Sequence, residues 1–180
     1  NTINKDLADV LGNFITRVTK FSYAKFGKKI PTNNEYSDLE NRTIYELELL
    51  YEKYNNFLEK IEVRKASQEL RNMWVVGNEY LQKAQPWSIL KKDEAKAKTI
   101  IRFSFHLINL YCLISEPFIP DSCEKIRKNF GLPKKREWPK GLKKIFDIIT
   151  DENDMSSPNI LFPKITDSEK ESFQEKFSGS

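Results

Sequence analysis

The sequence predicts an all-α protein, an antiparallel helical bundle of about five main helices with an irregular carboxy-terminal segment. Three observations predict it. Apolar residues recur at spacings of three and four along most of the chain. Prolines fall between these periodic stretches rather than inside them. No run alternates with the period of two that marks a half-buried strand. The 180 residues suit one domain with a real core, and 39% hydrophobic and 12% aromatic residues exclude a disordered chain.

Leu7, Val10, Leu11, Phe14, Val18 and Phe21 make the stripe of a first helix. Asn4 or Asp6 can cap it, and Gly27, ahead of Pro31, should end it. The polar segment from Lys28 to Asp38 reads as a loop. A second helix is expected from Leu39 to Lys60, with Thr43 and Glu46 at capping-box spacing and a stripe of Leu47, Leu50, Tyr51, Tyr54 and Leu58. After a break near Glu62, a third carries Ala66, Leu70, Met73, Trp74, Gly77 and Leu81 on one face. It should stop near Gln85, because Pro86 disfavours helical geometry in the residue before it.

From Glu94 to Ser115 the apolar residues occupy nearly the whole circumference, which predicts a buried central helix. Lys96, Lys98 and Arg102 argue against a membrane span, and no apolar run approaches the roughly 18 residues that one needs. Glu116-Pro117 ends this helix. Pro120-Asp121 opens a shorter one to about Phe130, with Gly131 as its cap. The basic stretch from Pro133 to Lys144 holds Trp138, and a short helix is expected after Pro139 as far as Thr150. We take residues 1–150 as the helical domain and 151–180 as an irregular segment that docks back through Leu161-Phe162-Pro163.

Self-contained chemistry is hard to find. His106 is the single histidine and lies in the most apolar helix, without an evident acid to orient it. Cys112 and Cys123, eleven apart, suit neither a zinc site nor a disulfide framework and are expected as packed free thiols. There is no H-E-x-x-H, no C-x-x-C, no Asp-rich calcium loop, and the six glycines are scattered rather than gathered into a phosphate cradle. Carboxylates mostly share helices with lysines, as solvated pairs do. The net charge of +4 permits a nucleic-acid partner without requiring one. The amino terminus is no signal peptide, and a reducing cytosol is the expected home. Because the chain begins at Asn1, we read it as part of a longer or processed protein.

Two places depart from a generic bundle. Asn13 and Arg17, at i and i+4, project side by side on a flank of the first helix, next to Asp6 and Lys20. An amide beside a guanidinium is either an ordinary solvated pair or a reader of base edges and phosphates. Trp87, directly after Pro86, is either a plug for the bundle end or a stacking platform for an unpaired base.

The run from Asn4 to Val18 resembles the start of the anticodon-binding domain of class I aminoacyl-tRNA synthetases. Asn78-Glu79-Tyr80-Leu81 followed by Gln85-Pro86-Trp87 is similar to the N-x-Y-x-x-x-x-x-P-W pattern of the methionyl-tRNA synthetase family. Ile114 to Pro120, leading to Glu124-Lys125-Ile126, resembles its P-x-x-P turn, and Leu161 to Ile165 its usual end. This resemblance implies a bundle that grips the CAU anticodon loop of methionine tRNA. It implies that Asn13 and Arg17 recognise the anticodon, chiefly its first base, and that Trp87, presented by Pro86, stacks on turned-out bases. Asp9 stands where some relatives carry a helping asparagine, and a carboxylate there would repel phosphates. The family's H-x-G-H-like tetrad and K-M-S-K-S loop are absent. The resemblance therefore implies no cofactor for this chain, with ATP and methionine as substrates of a separate catalytic domain, and a monomer. The equivalent domain of a leucine, isoleucine, valine or cysteine enzyme, and a helical protein-interaction scaffold, are the competing readings. A scaffold predicts Trp87 buried and Arg17 paired or idle; an anticodon reader predicts both exposed on one surface.

Overall fold

The computed structural model describes residues 7–33, 35–132, 137–142, 146 and 154–158, with backbone alone at 7 and 8. A π-helical segment, Leu7–Gly12, runs into helix α1, Asn13–Phe26, which ends at Gly27 with a φ of 73°. Helix α2 spans Asp38–Glu59, α3 Val63–Ala84, the single turn α4 Pro86–Ile89, α5 Glu94–Ile114 and α6 Pro120–Asn129. Five longer helices and no strand are therefore present among the described residues, with one isolated antiparallel bridge between Lys29 and Asp154.

Helices α2 and α3 lie along one another as an antiparallel hairpin, and α5 runs through the middle of the molecule against α1, α3, α4 and α6. Every residue of α5 from Thr99 to Ile114 is buried, as expected of a helix apolar on all sides. The buried face of α3 contains the predicted Ala66, Leu70, Met73, Trp74, Gly77 and Leu81. The core is rich in aromatic edges: Phe14 meets Tyr111 at 5.8 Å, and Tyr80 meets Phe103 at 4.7 Å. His106 is fully buried, tilted against Phe146 with ring centroids 6.0 Å apart. Both cysteines are buried free thiols, with the Cys112 thiol donating to the Cys123 carbonyl at 3.2 Å.

The structure corrects several local expectations. The first helix is not regular from Leu7, since its first six described residues are π-helical. The second helix starts at Asp38, and its capping box is formed by Ser37 and Glu40 rather than Thr43 and Glu46. The Ser37 backbone N–H donates to Glu40 Oε2 at 2.8 Å, while Thr43 donates back to the Leu39 carbonyl at 2.8 Å from inside the helix. Both pairs have the right spacing, but only Ser37 has extended backbone, which an N-cap requires. Glu40 is also no solvated carboxylate: it is buried and accepts the Tyr80 hydroxyl at 2.5 Å.

Helix α2 closes without glycine. Ile61 takes a φ of 58° so that Glu62 N–H reaches the Phe57 carbonyl at 2.8 Å, the closing bond of a Schellman turn. A β-branched residue is strained in that conformation, and Ile61 also remains largely exposed. Residues 154–158 pack on the bundle: Met155 is fully buried, its N–H donates to the Lys28 carbonyl at 2.8 Å, and Asn129 exchanges hydrogen bonds with Ser157 at 3.0 Å. Asn4, Asp6, most of the helix expected after Pro139, and Leu161-Phe162-Pro163 lie outside the described residues.

Two consequences are measurable. A Cβ on Gly77 would stand 2.8 Å from the Tyr111 hydroxyl and 2.9 Å from its ring, and Tyr111 is fully buried. Gly77→Ala should gain about 1 kcal/mol of helix propensity and lose about 1–3 to overpacking. The expected result is a lower Tm in thermal unfolding; a rise would show that Tyr111 moves aside freely. Burial raises the pKa of Tyr54, Tyr80 and Tyr111 well above the ordinary tyrosine value, with Glu40 adding to the shift at Tyr80. Above about pH 10 the unfolded chain sheds tyrosine protons that the folded chain retains. Stability should thus hold at lower pH and fall by about 1.4 kcal/mol per pH unit for each such tyrosine. Urea unfolding of Tyr54→Phe across this range should give a slope shallower by about one such increment, and an identical slope would refute the assignment.

Candidate nucleic-acid interface

The chain reverses sharply after α3. Gln85 adopts a left-handed conformation, φ 46° and ψ 60°, and its N–H still caps α3 by donating to the Leu81 carbonyl at 3.1 Å. Pro86, buried, then starts the single turn α4 with the fixed φ that suits a first helical residue. The Gln85 carbonyl accepts from Ser88 and Ile89 at 2.9 and 3.1 Å. Trp87 is therefore held in a closed turn rather than in a free loop. Its indole is 38% exposed, so it is neither a plug nor a wholly free side chain.

Trp87 rests edge-on against Phe21 of α1, with ring centroids 6.5 Å apart. One helical turn earlier, Arg17 places its guanidinium carbon 5.2 Å from the centre of the indole ring, within cation–π range. Arg17 Nη2 also points to Gln82 Oε1 of α3 at 3.4 Å. Arg17 and Trp87 thus share one surface, but only Trp87 is exposed: Arg17 is half-buried and paired with Gln82 and the indole, so the arrangement agrees in part with each of the competing expectations. They also touch each other, which their separation by seventy positions did not reveal.

Asn13, exposed, is the first residue of the regular α1 helix, so i, i+4 geometry does place it beside Arg17. These two, with Asp9 and Val10, form one wall of a groove of about 430 Å³. Val75, Asn78, Glu79, Gln82 and Lys83 of α3 form the other. The sequence reading gave α3 no part in this site beyond the motif containing Asn78. A signal was available: 75, 78–79 and 82–83 repeat at helical spacing on the flank of the buried Trp74–Gly77–Leu81 stripe.

Three amides line the groove, Asn13 and Gln82 facing it and Asn78 turned inward to the Val10 and Trp74 carbonyls, while Asp9 and Glu79 balance Arg17 and Lys83. The Lys83–Glu79 pair, at 3.6 Å, is exposed on both sides and adds little energy. A charge-balanced, amide-lined slot suits the mixed donors and acceptors of a base edge better than it suits a bare phosphate. A smaller cavity of about 220 Å³ contains Glu40, whose oxygens already serve Ser37 and Tyr80. Among the described residues no group of three or more His, Cys, Asp or Glu is placed to hold a metal, and no helix is long and apolar enough to cross a membrane. Of the basic stretch from Lys125 to Lys144, Lys128 pairs with Glu124 at 2.8 Å, and residues 133–136 and 143–145 lie outside the described set.

The sequence model of the anticodon binding domain of methionyl tRNA ligase matches residues 30–180. That span holds Pro86, Trp87 and the α3 wall, but begins after Asn13 and Arg17. Curated relatives extend the likeness over the whole chain. A methionine–tRNA ligase of Cereibacter sphaeroides is 41% identical over 179 residues, and one of Ruegeria sp. is 42% identical over 178. In both cases 99% of this chain aligns with 31% of the relative, so the chain spans about a third of their length. The fold matches the free methionyl-tRNA synthetase of Mycobacterium tuberculosis with a TM-score of 0.77 at 21% identity, covering 91% of this chain and 33% of that one. The methionyl-adenylate-bound form of that enzyme gives 0.74 at 21% identity, over 89% of this chain and 32% of that one. On the family match and the full-length likeness to these ligases, this chain belongs to the anticodon-binding domain family of methionyl-tRNA ligases.

Proposed function

We propose that this domain selects methionine tRNA by its CAU anticodon, with Asn13 and Arg17 reading the first anticodon base and Trp87 stacking on a base turned out of the loop. The observation that carries the reading is the meeting of Arg17 and Trp87, 5.2 Å apart, at the edge of the amide-lined groove. Stacking supplies affinity for any base, whereas the guanidinium and amides supply direction and hence discrimination. Pro86 contributes by fixing the turn that presents the indole. Asp9 is placed to accept from an exocyclic amine and to repel phosphates, which would keep the backbone to the groove's rim.

In this reading residues 1–150 are the binding domain and 151–180 its irregular appendage. The longer protein charges methionine tRNA with methionine at the expense of ATP, as a monomer in the cytoplasm. Lys125 to Lys144 touch the RNA backbone only if their removal reduces the salt dependence of binding.

Titration with a CAU anticodon stem-loop tests the proposal, followed by tryptophan fluorescence beside a loop altered only at its first anticodon base. Trp87→Ala should weaken binding of both loops by about 1–3 kcal/mol. Retained affinity would remove Trp87 as the platform. Arg17→Ala should instead bring the two loops closer together in affinity, by about 1–3 kcal/mol of lost discrimination. Uniform weakening by Arg17→Ala would mean that it contacts the backbone. Equal binding of both loops by the unaltered chain would overturn the assignment of first-base reading to this domain.

A further inference from the structure

The π-helical segment ahead of α1 has a partner that accounts for it. A π turn accommodates one extra residue, which rotates the chain preceding it by about 100° relative to a continuous α-helix. It persists where a neighbouring group takes up the backbone polar atom that it displaces. Here the Asn78 side-chain amide, on α3, donates to the Val10 carbonyl at 3.0 Å and to the Trp74 carbonyl at 3.2 Å. One amide thereby ties the third helix to the π segment, 68 positions away in sequence. Its own oxygen is buried and has no hydrogen-bond partner among the described residues. The position is thus used for its two donors, and the idle oxygen detracts from stability.

Val10 lies within the turn, and the residues ahead of it are those whose direction the turn decides. Asp9 precedes it, Asn13 follows one turn later, and both line the groove. Arg17 stands farther along the regular helix and is held by other contacts, the Trp87 face and Gln82. The site therefore has two supports: α4 with Gln82 for Arg17 and Trp87, and Asn78 for Asp9. In a continuous α-helix the residues before Val10 would be turned by roughly a quarter of the circumference away from their present direction.

We propose that Asn78 is a positioning residue for anticodon selection: by holding the Val10 carbonyl it keeps the π turn, and through that turn sets Asp9 over the groove. The inference rests on the function proposed above and assigns Asn78 no contact with the RNA.

Asn78→Asp keeps the size and shape of the side chain but loses both donors, and Asn78→Ala removes the group. Each variant is titrated with the CAU stem-loop and with the loop altered at its first base. Any repulsion from the new carboxylate acts on both loops and cancels in their ratio. The expected result is a variant with unchanged far-ultraviolet circular dichroism whose preference for the CAU loop drops roughly tenfold. Combined with Asp9→Ala, either change should reduce the preference by no more than about twofold beyond Asp9→Ala alone. With Trp87→Ala, the losses in affinity should simply multiply. Without RNA, the backbone amide resonances of residues 9–13 should shift in Asn78→Asp while those of 86–89 stay in place. Unchanged preference overturns the proposal, and so does a loss that multiplies with that of Asp9→Ala. Collapse of the fold in both variants would make Asn78 a folding residue and overturn it equally. If the unaltered chain shows no preference between the loops, the reading of function itself fails and this proposal falls with it.

Discussion

From Thr99 to Ile114, helix α5 has no side chain facing solvent, and the positions of the other elements follow from covering it. Several of its polar groups are met inside the protein. Arg102 donates to the Pro31 carbonyl at 3.2 Å, Ser104 to the Ile100 carbonyl at 2.8 Å, and the carbonyl of Ile114 accepts the Tyr54 hydroxyl at 2.6 Å. Buried polar atoms left without such bonds would each cost on the order of 1–3 kcal/mol. The loop carrying Pro31 and helix α2 are thereby tied to one axis, and α3 is tied at the end of that axis, where Trp74 Nε1 donates to Ser115 Oγ at 3.2 Å. Gly77 of α3 lies directly against Tyr111, an approach that no larger residue allows without movement. Once α3 is fixed on α5, the end of α3 fixes where Pro86 and Trp87 emerge.

Much of this arrangement is legible in the sequence because it rests on repetition. The stripes of α1, α2 and α3, the all-round apolarity of α5 and the breaks at Pro86, Pro117 and Gly131 are periodic or punctuated signals that local physics enforces. Asn13 and Arg17 could be set side by side for the same reason. The likeness to one family then gave them a task that their spacing alone left open.

What could not be read depends on contacts between distant segments or on a single dihedral angle. Nothing in Leu7–Gly12 distinguishes a π turn from an α turn; the distinction comes from Asn78, which belongs to another helix. Thr43–Glu46 and Ser37–Glu40 are equally good capping boxes by spacing, and only the backbone at residue 37 separates them. Ile61 in a left-handed conformation runs against the residue preferences by which a helix end is normally recognised. The far wall of the groove was missed because its residues look like the solvated flank of α3 until α1 is laid beside them.

That wall has a thermodynamic consequence. The bonds joining its two sides, Arg17 to Gln82 and Asn78 to Val10, link residues 65 and 68 positions apart. Neither partial chain nor local helix can present the groove, so whatever occupies it binds the closed bundle alone. By mass action such a ligand at a hundred times its dissociation constant adds about 2.7 kcal/mol to the folded state. Occupancy of the site and integrity of the fold are therefore one coupled equilibrium, and the domain is sturdiest while it is engaged.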